Sequence, residues 1–378
     1  MSAKGLLDRY GVSLRGLARR NRLRSLGPRA GLDFASNDYL GLAGSEGTAA
    51  AVATALANGT TVGATGSRLL RGNAPEHAAL EAKAAGFFGA EAALFFGGGY
   101  IANLAVLTTL PRKGDLVVLD ALIHASAHEG ARAGHAHVVT VPHNDADAVD
   151  GAIARWRAGG GTGHAWIVAE SLYSMDGDRA PLNELARVAD RHEAFLFIDE
   201  AHATGVYGPD GRGLAHRYEG RENVVVLHGC GKALGASGAL ITAPGILCDY
   251  LVNRCRPFVY ATAPSPLMAV AVAAALDIMT HEPERRQRLQ DMVALASGKA
   301  QALGLKASGS QIMPIIVGDN RGAMVLAGRL QARGFDVRAI RPPTVPEGTA
   351  RLRISLTLNV EKPDLLALLD ALSEEWPR

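Results

Sequence analysis

Between residues 76 and 242 the chain alternates between two hydrophobic patterns. In "PEHAALEAKAAGFF", "GYIANLAVLTTL", "DADAVDGAIARWRA" and "LNELARVADRHE" the apolar positions recur three and four apart, which predicts helices; "HASAHEGARAG" reads the same way. Between them lie short runs of Val, Ile, Leu and Phe without polar alternation: "AALFF", "DLVVLD", "HVVTV", "AWIVAE", "AFLFIDE", "NVVVLHG" and "GALITA". Strands buried on both faces read like this. Their alternation with helices predicts an α/β fold, a mostly parallel sheet with helices on both faces. "RAGGGTGH" is a loop between two of these units.

The texture changes after residue 260. Two long helical patterns, 264–281 and 283–303, precede short strands "IMPIIVG", "FDVRAI" and "RLRISLT". A helix at 320–333 separates the strands and another at 361–375 closes the chain, as in a smaller α+β domain. The expected division is an N-terminal helical arm (1–35), a large cofactor-binding α/β domain (36–260) and a small C-terminal α+β domain (261–378).

The N-terminus is Arg-rich, as transit peptides are, and lacks the apolar centre of a secretory signal. Leu6, Leu7, Tyr10, Leu14 and Leu17 recur at helical spacing, and Asp8 interrupts the positive charge. That predicts an amphipathic helix packed on the body. The run "LMAVAVAAAL" is too short to span a bilayer. A net charge of +2 gives no argument for a nucleic acid or membrane-surface partner. The three cysteines, Cys230, Cys248 and Cys255, are odd in number and have no CxxC spacing. This argues against a disulfide framework and a zinc site, and fits a reducing cytoplasm. Cys230 reads as a small buried filler.

Ligands of open α/β sheets bind beyond the carboxyl ends of the strands. Five such ends carry Gly98–Gly99–Tyr100, His124, Ser174, Asp199–Glu200–Ala201–His202 and Lys232. Lys232 stands among glycines in "GCGKALGASG". A lysine amine whose pKa is lowered by its surroundings is a nucleophile and a base, and one use for it is an imine link to pyridoxal 5'-phosphate (PLP). PLP also needs a carboxylate against its ring nitrogen, which Asp199 can supply. It needs backbone N–H groups for its phosphate, which the glycine turn of "FFGGGYIANLAVL" can supply at a helix N-terminus. His124, His202 and Ser174 are available for the ring face and the phenolic oxygen. His202 follows Asp199 by three residues, in a loop expected to open a helix.

The segment "FIDEAH" also fits the Walker B pattern of DEAH-box ATPases. Such an enzyme needs G-x-x-x-x-G-K-[ST] upstream. Lys232 lies downstream, with Val226 at the first glycine position and Ala233 after the lysine, which excludes a phosphate loop.

The segments "SNDYLGLA", "GATGSRLLRGNAPEHAALE", "HASAHEGA", "SMDGD", "IDEAHATGVYGPDGRG" and "GKALG" together resemble the α-oxoamine synthases, over residues 36 to 357. These are fold-type I PLP enzymes that condense an amino acid with an acyl thioester. The stretch "IRPPTVPEGTARLRISLT" most resembles the biotin-pathway branch, which implies L-alanine and a pimeloyl thioester on CoA or acyl carrier protein. Other branches pair glycine or serine with a different acyl-CoA.

Carried over by motif, the resemblance implies that Lys232 forms the imine, Asp199 pairs with the ring nitrogen and His124 stacks on the ring. His202 and Ser174 bond the phenolic oxygen, and the amides of Gly99 and Tyr100 hold the phosphate. Thr262 reaches the phosphate of a partner subunit, so a homodimer with shared active sites is implied. Arg353 grips the alanine carboxylate, Asn37 assists, and Thr344 lies at the acyl substrate. An N-terminal arginine contacts substrate in the family; alignment lands on Asn21, and Arg22 beside it is the choice. Read singly, Thr262 could be a strand hydroxyl, Arg353 a surface strand cation, Asn37 a turn cap and Thr344 a turn residue. The arginines of 15–24 could dock an acidic carrier protein or form a solvated helix face. Two departures stand out. Gly229 replaces a threonine that helps bind the cofactor, so weaker phosphate anchoring or a replacing water is expected, and Gly98 stands where serine is frequent.

Overall fold

The computed structural model describes residues 3–376. The chain divides into two compact units. The larger holds residues 38–174 and 178–287; the smaller holds those up to 37, 175–177, and those from 288 onward. In chain order the strands are β1 (Leu32–Asp33), β2 (Ala92–Phe96), β3 (Leu116–Asp120), β4 (His137–Val141), β5 (Ala165–Glu170) and β6 (Phe195–Asp199). They continue as β7 (Val224–Gly229), β8 (Ala239–Ala243), β9 (Ile312–Gly318), β10 (Phe335–Asp336), β11 (Arg338–Ile340) and β12 (Ala350–Ser355).

The larger unit is built on a seven-stranded sheet in the order β2-β8-β7-β6-β5-β3-β4. Strand β8 runs antiparallel to both its neighbours, and the other pairings are parallel. The unbroken apolar runs have the predicted cause: alternate residues feed two different cores. Val117, Leu119, Trp166, Phe197 and Leu227 pack on one face, with residues of the helices Gly99–Thr109 and Gly245–Arg254. Leu116, Val118, Ile167, Ile198 and Val226 pack on the other, with the helices Ala146–Ala158 and Leu182–Arg191. The two long helices form at Pro266–His281 and Pro283–Ala302. Cys230, Cys248 and Cys255 are all buried and free. Among the described residues, no helix is long and apolar enough to cross a membrane.

In the smaller unit β11, β12 and β9 form an antiparallel sheet, and β1 pairs with β10 in parallel. Two expectations are corrected. The run "FDVRAI" is not one strand: it breaks into β10 and β11, which join different sheets. The N-terminal helix forms at Ala3–Arg19, but Leu6, Leu7, Tyr10 and Leu14 of its apolar stripe are exposed in the single chain. Helical periodicity defines a face and does not say what covers it.

Candidate active site

Strands β2, β3, β5, β6 and β7 share one direction, so their carboxyl ends meet at one edge of the sheet. A cavity of about 340 Å³ opens there. Gly98, Gly99, Tyr100, His124, Asp199, Ala201, His202, Gly229 and Lys232, all singled out in the sequence, line it. Ser174 lies beside it, its backbone N–H donating to Glu170 of the cavity wall at 3.1 Å. Thr262 does not line it; it sits exposed in the loop before the helix at Pro266.

The glycine turn after β2 leads straight into the helix Gly99–Thr109, whose first turn no side chain caps. Its leading N–H groups are therefore open to an anion, and the helix dipole favours one there. The Gly98 backbone is extended and a Cβ built on it meets nothing within 4 Å, so the serine expected there would also fit.

Asp199 ends β6 and is buried. Its Oδ1 accepts from the Ala201 N–H at 2.9 Å and its Oδ2 from the Asn103 amide at 2.8 Å. The Nδ1 of His202 is hydrogen-bonded to the buried Tyr39 hydroxyl at 2.6 Å. The expected helix after His202 is absent: the chain runs through turns in which Gly205 and Gly208 take φ of +85° and +75°, which stops a right-handed helix.

Lys232 sits half-buried in a turn closed by Gly235 N–H to Lys232 C=O at 2.9 Å and Ala236 N–H to Cys230 C=O at 3.0 Å. Gly235 has φ +62°, and a Cβ on it would come within 2.3 Å of the Ala43 nitrogen. The glycine-rich setting lets this turn press against the backbone of residues 42–43 and hold the lysine at the cavity.

Gly229 has a steric explanation too. A Cβ there would lie 2.8 Å from the Ala201 Cβ. Gly229→Thr is therefore expected to destabilise the fold by about 1–3 kcal/mol through overpacking, rather than to improve phosphate binding. Thermal melts with and without PLP check this; an unchanged Tm in the variant would contradict it.

Three polar cavity residues escaped the sequence reading: Asn103, Glu170 and Ser237. Asn103 and Glu170 are each a lone polar residue in an apolar run, and that contrast was the available signal. Glu170 is held next to Asp199 by the β5–β6 register. Burial first, then the Asp199 charge, pushes its carboxyl well above the usual carboxylate range. Glu200 faces away from this wall: it accepts from the N–H groups of Leu214 and Ala215, and burial pushes its carboxyl up to about 8.

In the smaller unit, Arg353 lies in β12, is 6% exposed, and donates to Ser355 Oγ at 2.7 Å. That is no surface strand cation. Arg22 pairs with Glu347 at 2.5 Å, Thr344 accepts from Arg24 at 3.0 Å, and Arg341 donates to the Asn21 carbonyl at 2.6 Å. The N-terminal arginines and the stretch around Thr344 thus come together. Asn37 is half-buried.

Residues 29–372 match the aminotransferase class I and II family. An 8-amino-7-oxononanoate synthase of Anaeromyxobacter dehalogenans is 41% identical over 391 residues, covering 99% of this chain and 97% of the relative. The chain belongs to the 8-amino-7-oxononanoate synthase family. Its fold is that of fold-type I enzymes, and members of the 8-amino-7-oxononanoate synthase family are acyltransferases. The solved 8-amino-7-oxononanoate synthase of Francisella tularensis superimposes with a TM-score of 0.76 at 26% identity, covering 91% of this chain and 97% of that one. A serine palmitoyltransferase from S. paucimobilis, solved with a bound PLP adduct, gives 0.88 at 25% identity, with coverage of 99% and 98%.

Proposed function

We propose that this chain is a PLP-dependent synthase that condenses L-alanine with a pimeloyl thioester. It releases carbon dioxide and the free thiol and forms 8-amino-7-oxononanoate for biotin biosynthesis. One observation carries the reading: an amine, Lys232, and a carboxylate, Asp199, line the same cavity, beside an uncapped helix N-terminus. Those three features match the aldehyde, the ring nitrogen and the phosphate of PLP.

Bound PLP supplies a carbonyl carbon that joins amines and a conjugated ring that accepts electrons from bonds broken at Cα. The chain's residues do the rest. Lys232 would hold the cofactor and, when free of it, would take the Cα proton of alanine and return a proton to Cα after carbon dioxide leaves. Asp199 would face the ring nitrogen and favour its protonated form. His202 and Ser174 would bond the phenolic oxygen, and His124 would cover the ring. The Gly99 and Tyr100 amides would take the phosphate, with Thr262 contributed by the partner subunit of a homodimer. Arg353 takes the alanine carboxylate, Asn37 assists, and Arg22 and Thr344 meet the acyl substrate. CoA and acyl carrier protein both present the thioester this chemistry requires.

The deciding experiment is a panel of alanine, glycine and serine against pimeloyl and other acyl thioesters, read by thiol release. Turnover of alanine with a pimeloyl donor is expected to exceed all other pairs. Preference for glycine or serine with another acyl group would overturn the reading. Arg353→Ala is expected to raise the alanine KM by about 2–4 kcal/mol in binding, on the order of 30- to 1,000-fold, with the thioester KM unchanged. An unchanged alanine KM would remove Arg353 from the site.

A further inference from the structure

A line of hydrogen bonds runs behind the cavity wall through two residues that belong to none of the roles above. Asn103 is 2% exposed and Ser126 0%, so neither trades its bonds for bulk water. The Asn103 amide nitrogen lies 2.8 Å from Asp199 Oδ2 and 3.0 Å from Ser126 Oγ. Ser126 Oγ lies 2.7 Å from His124 Nδ1, and the Ser126 backbone N–H points at the same ring nitrogen at 3.3 Å. His124 is the N-cap of the helix Ala125–Ala133, which fixes this side of its ring toward the backbone.

Counting protons along the line leaves one arrangement. An ionised carboxylate only accepts, so the amide nitrogen of Asn103, and not its oxygen, faces Asp199. That nitrogen has two hydrogens; one goes to Asp199 and the other to Ser126 Oγ. A hydroxyl can accept twice, but the Ser126 N–H aimed at Nδ1 makes that nitrogen an acceptor, so Ser126 Oγ accepts from Asn103 and donates its own hydrogen to His124 Nδ1. With two donors aimed at it, Nδ1 carries no proton, and the proton of the neutral ring sits on Nε2.

We propose that Asn103 and Ser126 are positioning residues that fix His124 as the Nε2–H tautomer, making it a hydrogen-bond donor at the cavity wall and denying it the role of proton acceptor. The tautomer stands on the chain's own bonds. Its catalytic meaning rests on the function proposed above: proton abstraction from Cα then falls to Lys232, and His124 serves the ring and the substrate as a donor. The same line ties His124 to Asp199, so the groups assigned to the ring face and the ring nitrogen hold each other's geometry.

The test is nitrogen NMR on the purified chain with labelled histidine, with and without PLP. The His124 signals are assigned by their loss in His124→Asn. In the wild type, Nε2 is expected to carry the proton at neutral pH. In Ser126→Ala one weak backbone donor at 3.3 Å remains at Nδ1, and the Nδ1–H tautomer is expected to appear. Asn103→Leu is expected to loosen the preference in the same direction by freeing the Ser126 hydroxyl to turn. Ser126→Ala deletes a single oxygen, so it decides the matter if Asn103→Leu does not fold. A merely structural role would lower Tm and leave the tautomer alone. In the PLP-loaded enzyme Ser126→Ala is expected to lower kcat/KM for alanine by about 2- to 10-fold, the worth of one hydrogen bond, with the thioester KM unchanged. A proton found on Nδ1 in the wild type, or an unchanged tautomer in Ser126→Ala, would overturn the proposal. The NMR result does not depend on turnover, so a failure of the condensation assay is read separately.

Discussion

Lys232→Ala is expected to give a folded, colourless protein that condenses alanine at least about 10⁴-fold more slowly than wild type. Folding should survive because the turn around residue 232 is closed by backbone bonds and by the glycine contact with residues 42–43, none of which uses the lysine side chain. Catalysis should not, because one amine is asked both to hold the cofactor and to move the Cα proton. Borohydride reduction followed by peptide mass analysis supplies a second reading: the wild-type peptide containing Lys232 should carry the cofactor, and the variant should carry none. A variant that still condensed alanine at the wild-type rate would end the assignment of Lys232.

Asp199→Asn is expected to lower kcat by two to three orders of magnitude while PLP remains bound. The carboxylate is buried at the end of β6, and replacing it removes the charge that favours a protonated ring nitrogen. Breaking one partner of a buried ionic pair costs about 3–5 kcal/mol, which sets that range. The substitution also turns a pure acceptor into a group with its own donors, so one of its two present donors, the Asn103 amide at 2.8 Å or the Ala201 N–H at 2.9 Å, loses its acceptor. Cofactor content from the absorbance of the denatured protein, measured beside kcat, separates loss of chemistry from loss of binding. A kcat within a factor of two of wild type would show that Asp199 does not face the ring nitrogen.

The sequence made the larger sheet readable because its strands are covered on both sides, and double burial writes itself as unbroken apolar runs. The long helices at Pro266–His281 and Pro283–Ala302 were readable for the complementary reason, their length and periodicity. The candidate site was readable where chemistry and strand end coincide, as at Asp199 and Lys232. What stayed hidden depends on partners distant in the chain. The two-residue strand β1 exists through its pairing with β10, and that pairing splits "FDVRAI". Asn103 looks like a lapse in an apolar helix until Asp199, far along the sequence, supplies its acceptor. The exposed stripe of the N-terminal helix shows the same limit from the other side, since a pattern of leucines names a face and no neighbour.

The place of β2 at the margin of the larger sheet has a consequence for biogenesis. Its neighbour is β8, in a register that joins Ala92 to Ala243 and Phe96 to Ala239. During synthesis the glycine turn after β2 emerges long before the strand that anchors it, and pairing across such a separation is slow to form. A ribosome-bound fragment ending before residue 239 therefore lacks the wall that supports this turn. On the proposed assignment, cofactor capture waits for a nearly finished larger unit, and fragments released early are expected to emerge without it.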